Sequence, residues 1–326
     1  MNILVLGGTV FVGRHIVVEA LARGHKVSLF NRGSRPQLFS GVEELRGNRD
    51  GDLSALKGRK WDAVIDTSAY VPRILRQSVE LLASSVERYC LISTISVYAD
   101  ATKPLLNEKD ALSSLNHPDV EEVTGETYGG LKVLCEREVL EHLPQKSLIL
   151  RPGLIIGPHD PTDRMTYWPW RFMQGGEILA PHSPDRPVQY IDARDLASWT
   201  LNQIEAKSTG VFNLVTSPDQ YHLEDVMRLC AELSDKKSNL TWVDESFLQS
   251  KALKPFSDIP LWIPSPHHHF MQVNNEKALS LGLKPRSLAD SLADIHNWLK
   301  ENPKDKLKAG LNLDQERELL ATWHQI

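Results

Sequence analysis

The sequence predicts an α/β protein in which a doubly wound parallel sheet carries a smaller, discontinuous second domain toward the C-terminus. Short apolar segments suited to buried parallel strands alternate with helical periodicities up to about residue 155. Beyond residue 151 the chain becomes rich in Gly, Pro, Trp and Asp, and the alternation ends. The predicted boundaries are 1–156 for the first domain, with returning segments at about 187–215, and 157–186 plus 216–326 for the second.

Each element of the first domain has its own signal. Runs of apolar residues predict strands at 2–6, 27–30, 42–46, 63–65, 89–93 and 147–150. Apolar positions with helical spacing predict helices at 11–23, 72–85 and 126–142. Farther along, we expect a strand at 188–191 that returns to the sheet, a strand at 211–215, and helices at about 195–205, 223–233, 287–300 and 314–323.

The composition argues against several classes of protein. A formal charge of −5 over 326 residues is unlike that of a general nucleic-acid-binding protein. No apolar run reaches the ~18 residues of a membrane span, and the first strand starts too early to leave room for a signal peptide. The three cysteines lack disulfide or metal spacing. We therefore expect a cytoplasmic protein whose partner is a small molecule, not a nucleic acid or a membrane.

A glycine turn follows the first strand and leads into the first helix. This is the layout of a Rossmann-type dinucleotide site, because a helix N-terminus beside a glycine turn offers unpaired N–H groups to a pyrophosphate. Many such turns bind nothing, so the motif is suggestive only. The predicted cofactor-binding residues of the turn are Gly7, Gly8, Thr9, Phe11, Val12 and Gly13.

The end of the second predicted strand indicates which dinucleotide would bind. A carboxylate at this position would accept hydrogen bonds from the ribose hydroxyls of NAD. This chain has Asn31 and Arg32 instead, and an arginine suits the 2′-phosphate of NADP. We therefore expect NADP, with NAD as the alternative; Arg14 and Arg35 are weaker candidates for the same phosphate. The competing interpretation is a solvent-facing loop arginine.

Tyr128 and Lys132 lie four residues apart in a predicted helix. That spacing puts them on one face, and a nearby positive charge lowers the pKa of a phenol, which could then exchange a proton with a substrate oxygen. The spacing also arises by chance. However, Gly129 and Gly130 each cost a helix about 1 kcal/mol relative to alanine, which indicates close approach by a ligand or by the sheet. Thr94 follows a strand at the sheet edge where ligands bind.

Four motifs together resemble one family. Gly-Gly-Thr-x-Phe-Val-Gly at 7–13, the Val-Tyr pair at 97–98, Tyr-x-x-x-Lys at 128–132 and Arg-Pro-Gly at 151–153 occur in the order typical of extended short-chain dehydrogenases/reductases. This is the NAD-dependent epimerase/dehydratase family, and the similarity covers roughly residues 1–215. A later segment is similar to one in a bacterial subgroup described as isoflavone-reductase-like.

The resemblance implies a role for each matching residue. Tyr128 would be the catalytic acid/base, and Lys132 would bind the nicotinamide ribose and lower the tyrosine pKa. Thr94 would be the catalytic hydroxyl, and Asp50 or Asp52 would contact adenine. A homodimer through the helices predicted at 72–85 and 126–142 is a further expectation from the family.

Two departures from the family pattern bear on the ligands. Val10 replaces the middle glycine of the family's turn, which makes this an atypical member. Nucleotide-sugar enzymes of the family usually carry an arginine at the start of the returning strand. That position holds Val188 here, and Arg186 lies two residues early. A nucleotide-sugar substrate is therefore in doubt.

The segment 157–170 combines aromatic and charged residues just after a predicted strand end. Aromatic walls with a few charged groups suit a small-molecule pocket. The alternative is a domain-joining loop whose tryptophans fill a second core. A metal site is not expected at 267–269, because three adjacent histidines point in different directions. The predicted substrate residues are Asp160, Asp163, Arg164, Tyr167 and Trp168.

Three functions remain open from the sequence. The first is an NADP-dependent oxidoreductase that transfers a hydride to or from a small carbonyl or alcohol, with Tyr128 as acid/base. The second is a sugar epimerase or dehydratase with tightly retained NAD. The third is a non-catalytic dinucleotide sensor or RNA-associated protein, against which the intact Tyr128 and Lys132 and the acidic charge count.

Overall fold

The structure, a computed structural model, describes residues 1–34, 37–117, 119–181 and 183–326. The strands are β1 (Asn2–Leu6), β2 (Lys26–Asn31), β3 (Glu43–Arg46), β4 (Trp61–Asp66), β5 (Val86–Ile92), β6 (Ser147–Pro152), β7 (Leu154–Ile156), β8 (Gly176–Pro181), β9 (Tyr190–Asp192), β10 (Gly210–Leu214) and β11 (Ser238–Val243). The helices are α1 (Phe11–Ala22), α2 (Pro72–Leu82), α3 (Tyr128–His142), α4 (Tyr167–Gln174), α5 (Ala193–Glu205), α6 (Leu223–Leu233), α7 (Glu245–Ser250), α8 (Glu276–Ser280), α9 (Leu288–Glu301) and α10 (Leu313–Trp323).

Seven parallel strands form the central sheet in the order β10-β6-β5-β4-β1-β2-β3. Both faces are covered, because alternate residues of β1 point to opposite sides: Ile3 and Val5 pack with α1 and α5, whereas Leu4 and Leu6 pack with α2. The strand order reverses between β1 and β4, which opens a crevice at the carboxyl ends of these strands. The predicted doubly wound α/β fold is confirmed.

A second core lies beyond β6, formed chiefly by α4, α6 and α9. The predicted strand at 188–191 does not return to the central sheet. It forms β9, which pairs with β7 in a separate two-stranded sheet, whereas β10 extends the central sheet beside β6. Pro152 lacks an N–H group, so the β6 ladder ends there and β7 leaves in another direction.

A second pair of strands, β8 and β11, was not predicted; they run parallel to each other beside this core. Across the described ranges, no helix combines the length and the apolar character needed to span a membrane.

Candidate functional site

The turn between β1 and α1 forms a tight cradle. Gly7 and Gly8 have φ angles of +106° and +86°, which favour glycine. A Cβ atom on Gly7 would lie 2.4 Å from the Thr67 side-chain oxygen, and one on Gly13 would lie 2.6 Å from the Gly8 backbone. Val10 provides no side-chain cap for α1, so the first N–H groups of this helix remain available to an anion. The turn therefore fits a pyrophosphate.

Two cavities meet at this turn. The inner cavity, of about 520 Å³, is lined by the turn together with Thr94, Ser96 and Tyr128. The outer cavity, of about 490 Å³, is lined by the end of β2 and by residues 47–50. Five residues line both cavities: Gly7, Thr9, Val10, Ser68 and Tyr70. The two cavities thus form one groove across the carboxyl edge of the sheet, with the glycine turn at its middle, which fits an extended dinucleotide.

The outer cavity contains the three residues predicted for the adenosine half. The Asn31 side-chain oxygen accepts a hydrogen bond of 2.7 Å from the Gly33 N–H group. Arg32 is exposed and forms no ion pair within the described part of the chain. Asp50 lies at the rim, and its carboxylate pairs with Arg73 at 2.7 Å, which lowers the pKa of Asp50. The weaker phosphate candidate Arg35 lies outside the described residues.

Tyr128 begins α3 and faces the inner cavity together with Thr94. Burial raises the pKa of Tyr128 to about 12, although a hydrogen bond with Thr94 and the positive charge of Arg164 act in the opposite direction. Thr94 also accepts a hydrogen bond from the Ser96 N–H group, which fixes the turn that follows β5. The phenol therefore remains protonated at neutral pH and can donate a proton.

Lys132 lies one turn after Tyr128 in α3, and its predicted binding to the nicotinamide ribose stays a prediction. Its ammonium is buried and donates hydrogen bonds to the carbonyl oxygens of Ala69 at 2.8 Å and Ile92 at 2.7 Å. The Tyr70 ring lies near both groups, with its centroid 5.6 Å from Lys132 Nζ and 6.4 Å from the centre of the Tyr128 ring. The expected lowering of the Tyr128 pKa is absent, because burial dominates. The third ammonium N–H group makes no hydrogen bond to the described residues, and Lys132 lines neither of the two cavities.

The two glycines after Tyr128 allow close contact with neighbouring segments. A Cβ atom on Gly129 would lie 2.2 Å from the Ser96 carbonyl oxygen, and one on Gly130 would lie 2.6 Å from the Leu115 side chain. The close approach predicted from their cost in a helix is therefore present, although it is made by loops rather than by the sheet or by a ligand.

Replacing Gly129 with alanine is expected to destabilise the protein by about 1–3 kcal/mol, because the new methyl group overlaps backbone that carries the Thr94 turn. Urea unfolding at neutral pH measures this change. Gly125→Ala is the matched control, since a Cβ atom there meets nothing within 4 Å. Equal stability of the two variants would contradict the contact.

A buried polar network supports the strand ends behind the cavity. Arg151 pairs with Glu136 at 2.7 Å, and Glu136 accepts a hydrogen bond of 2.5 Å from the Ser93 hydroxyl. Tyr98 donates to the Asn213 side chain at 2.7 Å and lies within 3.3 Å of the Arg151 guanidinium. The Val-Tyr and Arg-Pro-Gly motifs therefore hold β5, β6 and β10 together around Thr94.

The predicted substrate residues divide into two groups. Asp160 and Arg164 line the inner cavity. Asp163, Tyr167 and Trp168 do not: Asp163 forms an ion pair with Lys304, and the two aromatic residues are buried in the second core. Helix α4 begins at Tyr167 and turns its apolar face inward. The alternative prediction for these aromatic residues, that they fill a second core, therefore matches their positions.

Asp160 is a buried carboxyl group beside the cavity. It accepts hydrogen bonds from the backbone N–H group of Thr162, at 2.8 Å, and from its hydroxyl group. Burial outweighs these bonds and raises the pKa of Asp160 from 3.8 to about 6.

This shift predicts a pH dependence of stability. Between about pH 4 and 6 the folded state binds more protons than the unfolded chain, so the free energy of unfolding contributed by Asp160 falls as pH rises, by up to about 3 kcal/mol. Asp160→Asn is expected to remove this part of the slope in urea titrations at successive pH values. The exposed control Asp305→Asn is expected to leave the slope unchanged, and identical slopes for all three proteins would contradict the shift.

Several cavity residues were not predicted. Thr67, Ser68 and Tyr70 follow β4 at the same sheet edge as Thr94, so the hydroxyl-rich end of this strand was a usable signal. Phe256 and Phe270 come from distant loops without a local signal. Within the residues that the structure describes, no group of three His, Cys, Asp or Glu side chains is arranged to hold a metal ion.

No family model matches the sequence. Chloroplast stem-loop binding protein of 41 kDa b from Arabidopsis thaliana is 27% identical over 91% of this chain and 78% of its own length. The 2-alkyl-3-oxoalkanoate reductase of Stenotrophomonas maltophilia is 29% identical over 49% of this chain and 52% of its own length.

Solved structures extend the likeness along nearly the whole chain. UDP-glucuronic acid 4-epimerase from Bacillus cereus, solved in complex with NAD, has a TM-score of 0.65 and 18% identity, and the match covers 94% of this chain and 99% of that one. At this identity the likeness establishes the fold, and it agrees with the resemblance predicted from the four motifs. The chain therefore shares the fold of UDP-glucuronic acid 4-epimerase over nearly its whole length.

Proposed function

We propose that this protein is an NADP-dependent reductase or dehydrogenase of small carbonyl compounds or alcohols. The observation that carries the proposal is the position of Tyr128: its protonated phenol and Thr94 share a cavity with the glycine cradle. A nicotinamide bound in this groove would supply or accept a hydride. The printed activity of the Stenotrophomonas relative, a reductase of oxoalkanoates, supports the same class of reaction.

The chain's own residues perform the proton chemistry in this proposal. Thr94 would orient the substrate oxygen by a hydrogen bond, and Tyr128 would donate a proton to it in reduction or remove one in oxidation. The pKa of about 12 keeps the phenol protonated at neutral pH, which is the form that reduction requires. The remaining ammonium N–H group of Lys132 would bind a ribose hydroxyl.

The preference for NADP rests on the outer cavity. Asn31 is an amide whose side-chain oxygen already accepts a hydrogen bond from Gly33, and the Asp50 carboxylate is paired with Arg73. Neither side chain therefore offers a free carboxylate to the ribose hydroxyls of NAD. Arg32 is a cation without an ionic partner in the described chain, at the end of β2 where a 2′-phosphate would lie. Calorimetric titration with NADP and NAD tests this preference directly, and tighter binding of NAD would overturn it.

A sugar epimerase is the second candidate. The likeness to UDP-glucuronic acid 4-epimerase spans 94% of the chain, and the phenol of Tyr128 could exchange a proton in either reaction. An epimerase would retain its dinucleotide through purification and interconvert UDP-sugars without net consumption of the cofactor. Purified protein that releases no dinucleotide on denaturation and oxidises NADPH with a carbonyl substrate would exclude this candidate.

The name of the Arabidopsis relative keeps a non-catalytic, RNA-associated function as a third candidate. Nucleic-acid binding would be expected to need a basic surface, whereas the whole chain carries a formal charge of −5. Binding of a stem-loop RNA at physiological salt, without turnover of any carbonyl compound, would favour it.

A further inference from the structure

We propose that the inner cavity binds a small oxo acid, with its carboxylate paired to Arg164 and its apolar part packed against aromatic side chains. This inference rests on the proposed reductase function. Among the residues that the structure describes, Arg164 is the one cation lining the inner cavity, and it forms no ion pair with them. A guanidinium group in a concave site binds a planar carboxylate through two parallel hydrogen bonds.

Arg164 faces the same space as the proton donor. Its positive charge is close enough to Tyr128 to lower the pKa of the phenol against the effect of burial. The hydroxyl groups of Thr94 and Ser96 line the same cavity. One small molecule in this cavity would therefore place its carboxylate at Arg164 and its reacting carbonyl group at Tyr128.

The rest of the cavity accepts an alkyl or aryl group. The Arg164 guanidinium lies over the Phe256 ring, 5.3 Å from its centroid, which restricts the cation without neutralising it. An apolar wall beside one cationic side chain suits an amphipathic acid. The apolar residues around this part of the cavity are Ile95, Leu154, Ile155, Phe256 and Phe270.

A nucleoside diphosphate fits this cavity less well, because it carries more negative charge than one arginine can balance. Arg186 lies outside the inner cavity and donates a hydrogen bond of 2.9 Å to the Ser265 hydroxyl. Val188 is buried in the second core and adds no charge. The carboxyl group of Asp160 lines the same cavity and, when ionised, offsets part of the Arg164 charge, which leaves less positive charge for an anionic ligand. These features favour a substrate with a single acidic group.

The atoms and electrons balance in the reduction of such a substrate. The carbonyl carbon gains a hydride from the reduced dinucleotide, the carbonyl oxygen gains a proton from Tyr128, and a hydroxy acid and the oxidised dinucleotide result. Tyr128 regains its proton from solvent.

The kinetic test uses the full chain saturated with NADPH, with phenylpyruvate and benzoylacetate as acids and their methyl esters as neutral partners. We expect KM to be at least about tenfold lower for at least one acid than for its ester. Arg164→Gln should raise KM for that acid far more than KM for its ester, while Arg164→Lys should keep part of the preference. The matched control is Arg317→Gln, on the exposed face of α10, which should change neither value. Equal use of acids and esters by the wild type, or an equal effect of Arg164→Gln on both, would overturn the inference.

A binding measurement separates this inference from the proposed function. With NADP present, calorimetry compares phenylacetate with phenylacetamide on the wild type and on Arg164→Gln. We expect phenylacetate to bind at least about tenfold more tightly and to lose this advantage in the variant. Equal binding of the two compounds overturns the inference even if neutral carbonyls are reduced. Selective binding of phenylacetate without oxidation of NADPH by any carbonyl compound would instead support the acid site and refute the reductase.

Discussion

Arg32→Glu is expected to weaken NADP binding by roughly 100-fold and to change NAD binding little or improve it. The substitution removes the cation expected to pair with the 2′-phosphate and places a carboxylate at the end of β2, where it would repel that phosphate and could accept hydrogen bonds from ribose hydroxyls. Calorimetry or quenching of tryptophan fluorescence would give both dissociation constants.

Two comparisons make this result specific. Arg317→Glu reverses a charge of the same kind on the exposed face of α10 and should leave both affinities unchanged. The salt dependence of NADP binding should also become shallower in Arg32→Glu, because one ionic contact is lost. Unchanged NADP affinity in Arg32→Glu would show that this arginine is only a solvent-facing loop residue.

Tyr128→Phe is expected to reduce turnover by roughly 1,000-fold while the dissociation constant for NADP changes less than about twofold. The ring and its packing beside Tyr70 remain, whereas the proton donor is lost. Single-turnover oxidation of NADPH with an active carbonyl substrate measures the first quantity, and fluorescence titration measures the second.

The control for this prediction is Tyr221→Phe, which removes a phenol of the second core that accepts a hydrogen bond from the Leu288 N–H group. Its turnover should stay near that of the wild type. Retention of more than about one-tenth of the activity by Tyr128→Phe would assign the proton transfer to another group. Loss of NADP binding in the same variant would mean that the phenol serves the cofactor site instead.

Local patterns were enough to predict the central fold. Buried parallel strands are apolar throughout, as in residues 3–6, and the glycine turn has a shape that few other residues tolerate. The paired glycines beside Tyr128 correctly indicated a crowded helix, although the contacts come from loops. The pairing of β9 with β7 could not be predicted in this way, because a short apolar strand does not specify its neighbour.

The substrate side shows why sequence patterns alone are weaker there. Arg164 and Tyr167 lie three residues apart, yet one lines the cavity and the other is buried against Gly310. The composition of the segment is compatible with both positions, and only the start of α4 separates them. Phe256 enters the cavity from a loop far along the chain, so its contribution depends on tertiary packing that no local motif records.

Lys132 has a consequence for how mutants of this site are interpreted. Its ammonium spans the loop after β4, through Ala69, and the last residue of β5, through Ile92. Removing the amine would leave two buried carbonyl oxygens without that donor. The ends of β4 and β5 would then no longer be held together at this point, even in the absence of any ligand. The activity of a Lys132 variant would therefore not isolate the chemical role of the amine, since the structure and the reactivity of the site would change together.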